Sequence, residues 1–500
     1  MLATFMEVLD TSIANVALPH IAGTLSASTD ESTWVLTSYL VSNAIVLPAT
    51  GWLGRRFGRK NFLIACIGIF TLASVLCGAA TSLGMLIFAR ILQGAGGGAL
   101  QPIAQAVMLE SFPREKRGAA MAAYGMGVVV APIIGPTLGG WITDTYSWRW
   151  TFYINLPVGI LAALMAQWFV EDPPYIKNAK AGAIDYLGFG FLALWLSSLQ
   201  IMLDKGQQED WFNSPFIVGL AALSVASLVA FVVRELTADE PIVDLRVLAN
   251  RNFVTGTGLI FAVGVVLYGT IALLPLFLQT LMGYPALQSG MAVSPRGLGS
   301  IAAMLIVGRL IGRVDTRWLM GIGFAVLAVS GFMFGNLSLD ITPWHVLVPN
   351  VLNGFGVGFI FVPLSTTAMA TLSNTQMGNA TGIYNLMRNL GGGVGIALVT
   401  TVLARSAQSH QALMSSHLSP YDPAMRERVE TMTRVFSQHA DPVTAAHQAY
   451  ASVYGTLVQQ STLWAYVSDF RLLAILCLAC VPFVFVLKRA KGKGPAVAAH

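Results

Sequence analysis

Apolar runs of about 20 residues recur along the whole chain, and a bilayer core of about 30 Å takes a helix of that length to cross. Fourteen such runs lie near 2–24, 33–54, 62–81, 84–109, 119–142, 151–170, 184–203, 215–233, 253–282, 287–311, 319–338, 344–370, 381–403 and 470–487. Backbone groups inside a bilayer must pair within the chain, so runs of this length are helices. The reading is an all-α polytopic membrane protein of about 14 spans. Composition agrees: 55% of the 500 residues are hydrophobic and 11% are charged, where soluble domains carry about 25% charged residues. The net charge of +5 comes from short basic clusters between apolar runs, a pattern of membrane-flanking loops that excludes nucleic acid as a partner.

Lys and Arg also set the orientation. "RRFGRK" (55–60), "REKR" (114–117) and "KRAKGK" (488–493) fall on one side if the spans alternate, and the short loops opposite hold little beyond Arg149 and Lys205. The rich side is cytoplasmic. An even number of spans then leaves both termini inside, and the segment from Arg405 to Asp469 reads as a long outer loop. The N-terminus lacks a basic region and two acids interrupt its apolar core, so it is no signal peptide. Met1 already lies in apolar sequence; either the first span starts almost at once or the native start lies upstream. The four cysteines all lie in apolar runs, and the C-x-x-C of Cys477 and Cys480 lacks a second pair or a nearby His. No metal site or cofactor is expected.

The chain repeats itself. "RILQGAGGGALQP" begins at Arg90 and "NVLNGFGVGFIFVP" at Asn350, an offset of 260 residues. The same offset carries Gly118, Tyr124 and Gly135 onto Gly378, Tyr384 and Gly395. It spans eight helices, so two parallel six-helix repeats have a pair inserted between them. The division expected is an N-terminal six-helix bundle at 1–170, two linker helices at 171–240, and a C-terminal bundle at 241–500 containing the outer loop 405–469. Two such bundles around a midplane site make an alternating-access architecture.

Charges inside spans are costly and mark function. Asp10 lies about 14 Å along the first helix, near mid-bilayer. Glu7 is one turn away on nearly the same face. Two adjacent carboxylates that are expensive to ionise suit proton uptake on one side and release on the other, although an ion-paired Asp10 and a snorkelling Glu7 would fit the same pattern. Arg90, always charged, would favour ionised Asp10 when near and a protonated one when distant. Asn15, Gln93, Asn353 and Arg388 are candidates to line the substrate pathway, and Arg296 reads as structural. In "GMGVVVAPIIGPTLGG", Gly127, Ala131, Gly135 and Gly139 recur every fourth residue as a smooth stripe. Pro132 and Pro136 allow a bend, so this helix suits a hinge between the halves.

Taken together, "LDTSIANVALP" (9–19), "GWLGRRFGRK" (51–60), "RILQGAGGG" (90–98), "APIIGPTLGG" (131–140), "SWRWTFYINLPVG" (147–159) and "PIVDLRVLANRNF" (241–253) resemble the major facilitator superfamily. More narrowly they are similar to its fourteen-span drug:proton antiporters, the EmrB/QacA group, and "SLQIMLDKG" (198–206) points to the EmrB branch. The resemblance implies the major facilitator fold, with Asp10 and Arg90 in proton coupling. It implies Gly135, Pro136, Gly139 and Gly140, beside Pro132, as the antiporter motif. Gly51, Gly58, Arg59 and Lys60 match the cytoplasmic loop controlling the inner gate; Arg55 stands where members commonly have an acid.

It further implies a multidrug efflux pump of the inner membrane, exporting hydrophobic or amphipathic toxicants in exchange for protons with a periplasmic adaptor and an outer-membrane channel. The segment 405–469 is a candidate docking site for that adaptor, or a solvated cap. A dedicated exporter of a fatty acid, siderophore or other metabolite is the alternative within transport; a membrane-embedded enzyme or a sensor is the alternative outside it. No catalytic constellation or phosphate-binding G-x-x-x-x-G-K-[ST] loop is present, which argues against an enzyme and an ATP-driven pump. One proton moved through 100 mV supplies about 2.3 kcal/mol, and a tenfold proton gradient adds about 1.4 kcal/mol.

Overall fold

The computed structural model describes residues 1–113, 116–177, 185–419 and 421–488. Parts of two basic runs, at 114–115 and 489–493, and the first residue of the seventh expected span lie outside them. The described residues are almost entirely helical. In chain order the helices are α1 (Leu2–Thr24), α2 (Thr29–Phe57), α3 (Arg59–Ala79), α4 (Leu83–Gly97), α5 (Leu100–Ser111), α6 (Arg117–Thr145), α7 (Trp150–Tyr153), α8 (Asn155–Phe169) and α9 (Pro174–Lys177). Then come α10 (Tyr186–Lys205), α11 (Pro215–Thr237), α12 (Arg251–Leu276), α13 (Ala286–Val293), α14 (Arg296–Leu310), α15 (Thr316–Phe334), α16 (Pro343–Met369), α17 (Asn374–Ser416), α18 (Pro423–Phe436) and α19 (Pro442–Val484).

Each of the fourteen apolar runs is helical over its described residues, the tenth with a turn at Ser294–Pro295. Twelve are long and apolar enough to cross a membrane; α1 and α2 are long enough but carry more polar residues, Glu7 and Asp10 among them. Local sequence explains where helices start and break. Ser28 and Glu31 form a reciprocal capping box at α2, satisfying donors that a helix start leaves free. The fourth run breaks at Gly98–Ala99, inside its glycine cluster, into α4 and α5. Pro275 near the end of α12 precedes a π-helical turn at Phe277–Leu281.

The repeat survives as packing. Glycine lets two backbones approach where a Cβ would collide. A Cβ on Gly98, which caps α4, would lie 2.5 Å from Asn43 O of α2, and one on Gly358 of α16 would lie 2.6 Å from Ala303 of α14. Asn43 and Ala303 are themselves 260 residues apart, so both halves build the same helix pair from equivalent residues.

The two halves meet through α2 and α5 against α17, and through α6 against α14. The closest approaches cluster at the end that carries residues 51–60: a Cβ on Gly51 would meet Asn379 N at 2.6 Å, one on Gly382 would meet Leu47 O at 2.8 Å, and one on Gly118 would meet Ile311 at 2.6 Å. The α10–α11 pair lies over the α2/α17 seam. Its end remote from residues 51–60 is tied to one half by Thr37 Oγ1, which donates to Asp204 at 2.5 Å, and to the other by Trp211 Nε1, which donates to Thr401 at 3.0 Å.

The segment 405–469 differs from the expected loop. Helix α17 continues to Ser416, α18 covers 423–436, and α19 is already formed at Pro442, capped by Asp441. The run 405–469 lacks membrane-length hydrophobicity, but helix requires only backbone pairing and good helix formers, so α17 and α19 project beyond the apolar layer as a paired arm.

Candidate functional site

Two buried carboxyls stand on α1 in opposite settings. Asp10 Oδ2 accepts from Arg90 Nη1 at 2.7 Å, and its Oδ1 accepts from Gln93 Nε2 at 2.9 Å and Asn155 Nδ2 at 2.6 Å. Arg90 is wholly buried; it also donates to Val35 O and Gln93 Oε1, and its guanidinium lies 4.2 Å from the Tyr39 ring centroid. Asn155 is positioned by Ser74, which accepts a second bond from its amide at 2.9 Å. Four helices, α1, α4, α8 and α3, thus close a polar cluster within one half. An ion pair away from water holds only when its remaining lone pairs are met; here three donors saturate Asp10.

Glu7 is 4% exposed and reaches no water-facing edge. Its Oε1 accepts from Asn43 Nδ2 at 3.2 Å and Tyr39 OH at 3.4 Å, and its Oε2 accepts from Gln101 Nε2 at 2.6 Å. Among the described residues no cation forms an ion pair or hydrogen bond with it. Gln101 Oε1 in turn accepts from Arg388 Nη2 of α17, and one turn along the same helices Asn385 Nδ2 donates to Gln105 Oε1 at 2.6 Å. Glu7 and Arg388 are therefore joined across the boundary between the halves. Around this boundary Arg388 Nε, Gln105 Nε2 and Tyr384 OH are buried without a partner.

The remaining expected residues are distributed. Gln93 belongs to the Asp10 cluster. Asn353 lies in the second half, its Oδ1 unpartnered, on a small crevice shared with Thr270 and Phe470. Asn15 is exposed and joins neither carboxyl. The small stripe of α6 faces α1 inside one half: a Cβ on Gly135 or Gly139 would meet Ser12 or Ile13, and Ser12 Oγ donates to Pro132 O at 3.2 Å, whereas Gly127 and Gly140 face open space. Pro136 borders α13, lying 3.9 Å from where a Gly290 Cβ would sit. In the 51–60 segment, Gly58 has φ +79, a left-handed conformation suited to glycine. Arg59 clamps Glu110 with two bonds of 2.9 and 3.0 Å, and Tyr175 OH donates to the same carboxylate at 2.7 Å. Burial pushes the Tyr175 phenol up, which keeps that proton in place. Lys60 N donates to Asp172 and its Nζ to Gln167 O. Sequence reasoning missed Tyr39, Asn43, Gln101, Gln105, Asn155 and Asn385; each is an amide or phenol inside an apolar span, a signal weaker than a charge but of the same kind.

A family model described as Major Facilitator Superfamily matches residues 1–396. The chain belongs to the major facilitator superfamily. Among superfamily relatives it is 40% identical to "Multidrug export protein EmrB" of Haemophilus influenzae, over 84% of this chain and 82% of that one. It is 35% identical to "Fatty acid resistance protein FarB" of Neisseria gonorrhoeae, over 97% and 94% respectively. The fold is shared with the proton:xylose symporter XylE, at a TM-score of 0.58 and 13% identity, covering 96% of this chain and 94% of that structure. The superfamily fold of two six-helix bundles, here with two inserted helices, accounts for the internal repeat.

Proposed function

We propose that this chain is a proton-driven multidrug efflux antiporter of the cell inner membrane, exporting hydrophobic or amphipathic toxic compounds. Its bundles are 1–170 and 241–500, with 171–240 as the inserted pair. The face carrying residues 51–60 is cytoplasmic, with both termini on it, so the close approaches at Gly51, Gly118 and Gly382 seal the inner side. Support comes first from the pair of buried carboxyls on α1, one neutralised by Arg90 and the other without a cation in contact, since charges inside a membrane protein are retained for ion pathways. Similarity to proteins named for multidrug export supports the substrate class. Glu7 takes up a proton in the conformation described here; Asp10 does so when Arg90 withdraws. Pro132, Gly135, Pro136, Gly139 and Gly140 keep α6 close to α1 yet bendable, and Arg59 and Lys60 hold the inner loop. The arm built by α17, α18 and α19, with Leu413, Tyr421, Val443 and Tyr450 exposed, docks a periplasmic adaptor that connects to an outer-membrane channel.

The test is transport of a fluorescent dye into proteoliposomes under an imposed pH gradient. Wild type accumulates dye only with the gradient, and Asp10→Asn and Glu7→Gln do not. Gradient-driven accumulation unchanged in both variants would remove the carboxyls from energy conversion.

A second reading concerns the substrate. Arg388 Nε, Gln105 Nε2 and Tyr384 OH are all donors, and their lack of partners at the boundary favours a substrate with an anionic head, as in a fatty acid; FarB is named for fatty acid resistance. Competition of laurate against a cationic dye, with Tyr384→Phe weakening laurate alone, separates this reading from the first.

A further inference from the structure

Gln101 joins the halves through a chemistry that fixes its own orientation. Arg388 offers only donors, so its contact is made to the amide oxygen of Gln101. The amide nitrogen is thereby committed to the other side, where it donates to Glu7 Oε2 at 2.6 Å. The three side chains sit on α17, α5 and α1 and are all buried. The groups with charge or titratable protons that face Glu7 are Asp10 on its own helix, Tyr39 on α2, Arg90 beyond the Tyr39 ring, Tyr124 on α6 and Arg388 on α17. Asp10 is held by its own three donors, leaving Gln101 as the one link from Glu7 to the opposite half among the described hydrogen bonds.

We infer that Gln101 is a positioning residue that converts the protonation state of Glu7 into the strength of the contact between the halves. The inference rests on Glu7 being a proton carrier. With Glu7 ionised, the chain Glu7–Gln101–Arg388 is complete. A proton arriving at Oε2 makes that oxygen an O–H donor facing an N–H donor. The bond is restored only if the amide turns over and its oxygen accepts from Glu7. The turned amide then presents N–H to Arg388, donor against donor, and the contact across the boundary is lost. When the proton leaves, the amide turns back. A proton on Oε1 would instead face Asn43 Nδ2, itself a donor, with only the longer Tyr39 contact to receive it. The neighbouring Asn385–Gln105 bond joins two neutral amides and does not respond to a proton on Glu7.

The experiment uses the full chain in nanodiscs, with its four cysteines replaced and spin labels at Phe57→Cys and Trp318→Cys, exposed positions on the two halves at one face. Distances between labels are followed across pH, and infrared difference spectra report the protonated carboxyl of Glu7, assigned by its loss in Glu7→Gln. In wild type the short-distance population gives way to a longer one as Glu7 is protonated. Gln101→Leu and the length-matched Gln101→Met lose this pH response while the Glu7 band still titrates. Gln105→Leu shifts the population equally at all pH and keeps the response. A wild-type pH response in both Gln101 variants would overturn the inference while leaving proton carriage by Glu7 intact. A Glu7 carboxyl that never titrates in wild type would instead remove the underlying reading, and the inference with it.

Discussion

Asp10 and Arg90 show how far a single residue's chemistry can be read before folding. A carboxylate and a guanidinium in apolar spans demand each other, and the 2.7 Å contact meets that demand. Removing one member of a buried pair strands the other at a cost of about 3–5 kcal/mol. Arg90→Ala is therefore expected to lower the thermal stability of the purified protein strongly, and the double variant Arg90→Ala/Asp10→Asn to recover part of the loss; a fluorescence-detected unfolding series checks both. Asn155→Leu deletes a donor to a charged acceptor, worth about 1.5–3 kcal/mol, and should weaken proton-driven dye transport without abolishing it. The asymmetry between the halves is also a residue-scale fact. At the repeat offset, Thr270 replaces Asp10 and Asn350 replaces Arg90. Where Ser74 meets Asn155 in the first half, Phe334 lies against Phe470 in the second, ring centroids 5.1 Å apart. The second half keeps the helix packing without a counterpart of the Asp10–Arg90 pair.

At the scale of elements, the positions of all fourteen apolar runs were legible, because length and hydropathy are local properties. Their ends were less so. The arm beyond the thirteenth run is helix rather than loop, and the fourth run breaks in mid-span at glycine. Close helix contacts yield a sharp expectation: Gly51→Leu places a side chain against Asn379 and Gly378 of α17, holding the face that carries residues 51–60 open, so a thiol reagent should modify Asn379→Cys faster in the Gly51→Leu background than with Gly51 present. The inserted pair carries a pH-dependent element where its two helices meet, with Asp185 buried and Arg234 partly exposed. Asp185 caps α10 and accepts two bonds from Arg234 of α11 at 2.9 and 3.1 Å. Burial works against its charge, but the Arg234 bonds and the Gly188 N–H outweigh it and hold the carboxyl below the ordinary aspartate range of about 3.9. The stabilisation is thus present above that range and lost as pH falls through the lowered value. Arg234→Ala should lower Tm slightly at neutral pH and leave it unchanged in strong acid.

At the scale of the whole molecule, two bundles meet at a boundary that is tight at one face, and the α17–α18–α19 arm projects from the other. If the arm docks the proposed adaptor, replacing residues 417–441 with a short flexible linker should spare gradient-driven transport in proteoliposomes and abolish drug resistance in cells. Resistance retained by that variant would exclude the arm as the docking element.

The sequence by itself determined the membrane, the helices, the internal duplication and the presence of Glu7, Asp10, Arg90, Arg296 and Arg388 in the spans, since each follows from local hydropathy or from the chain's likeness to itself. Only the tertiary structure decided that Asp10 is saturated by Arg90, Gln93 and Asn155 while Glu7 is tied through Gln101 to Arg388, 381 residues along the chain. The physical reason is that a buried polar group is settled by which donors and acceptors surround it in space, and neutral amides scattered over five helices carry no sequence pattern that announces whom they will meet.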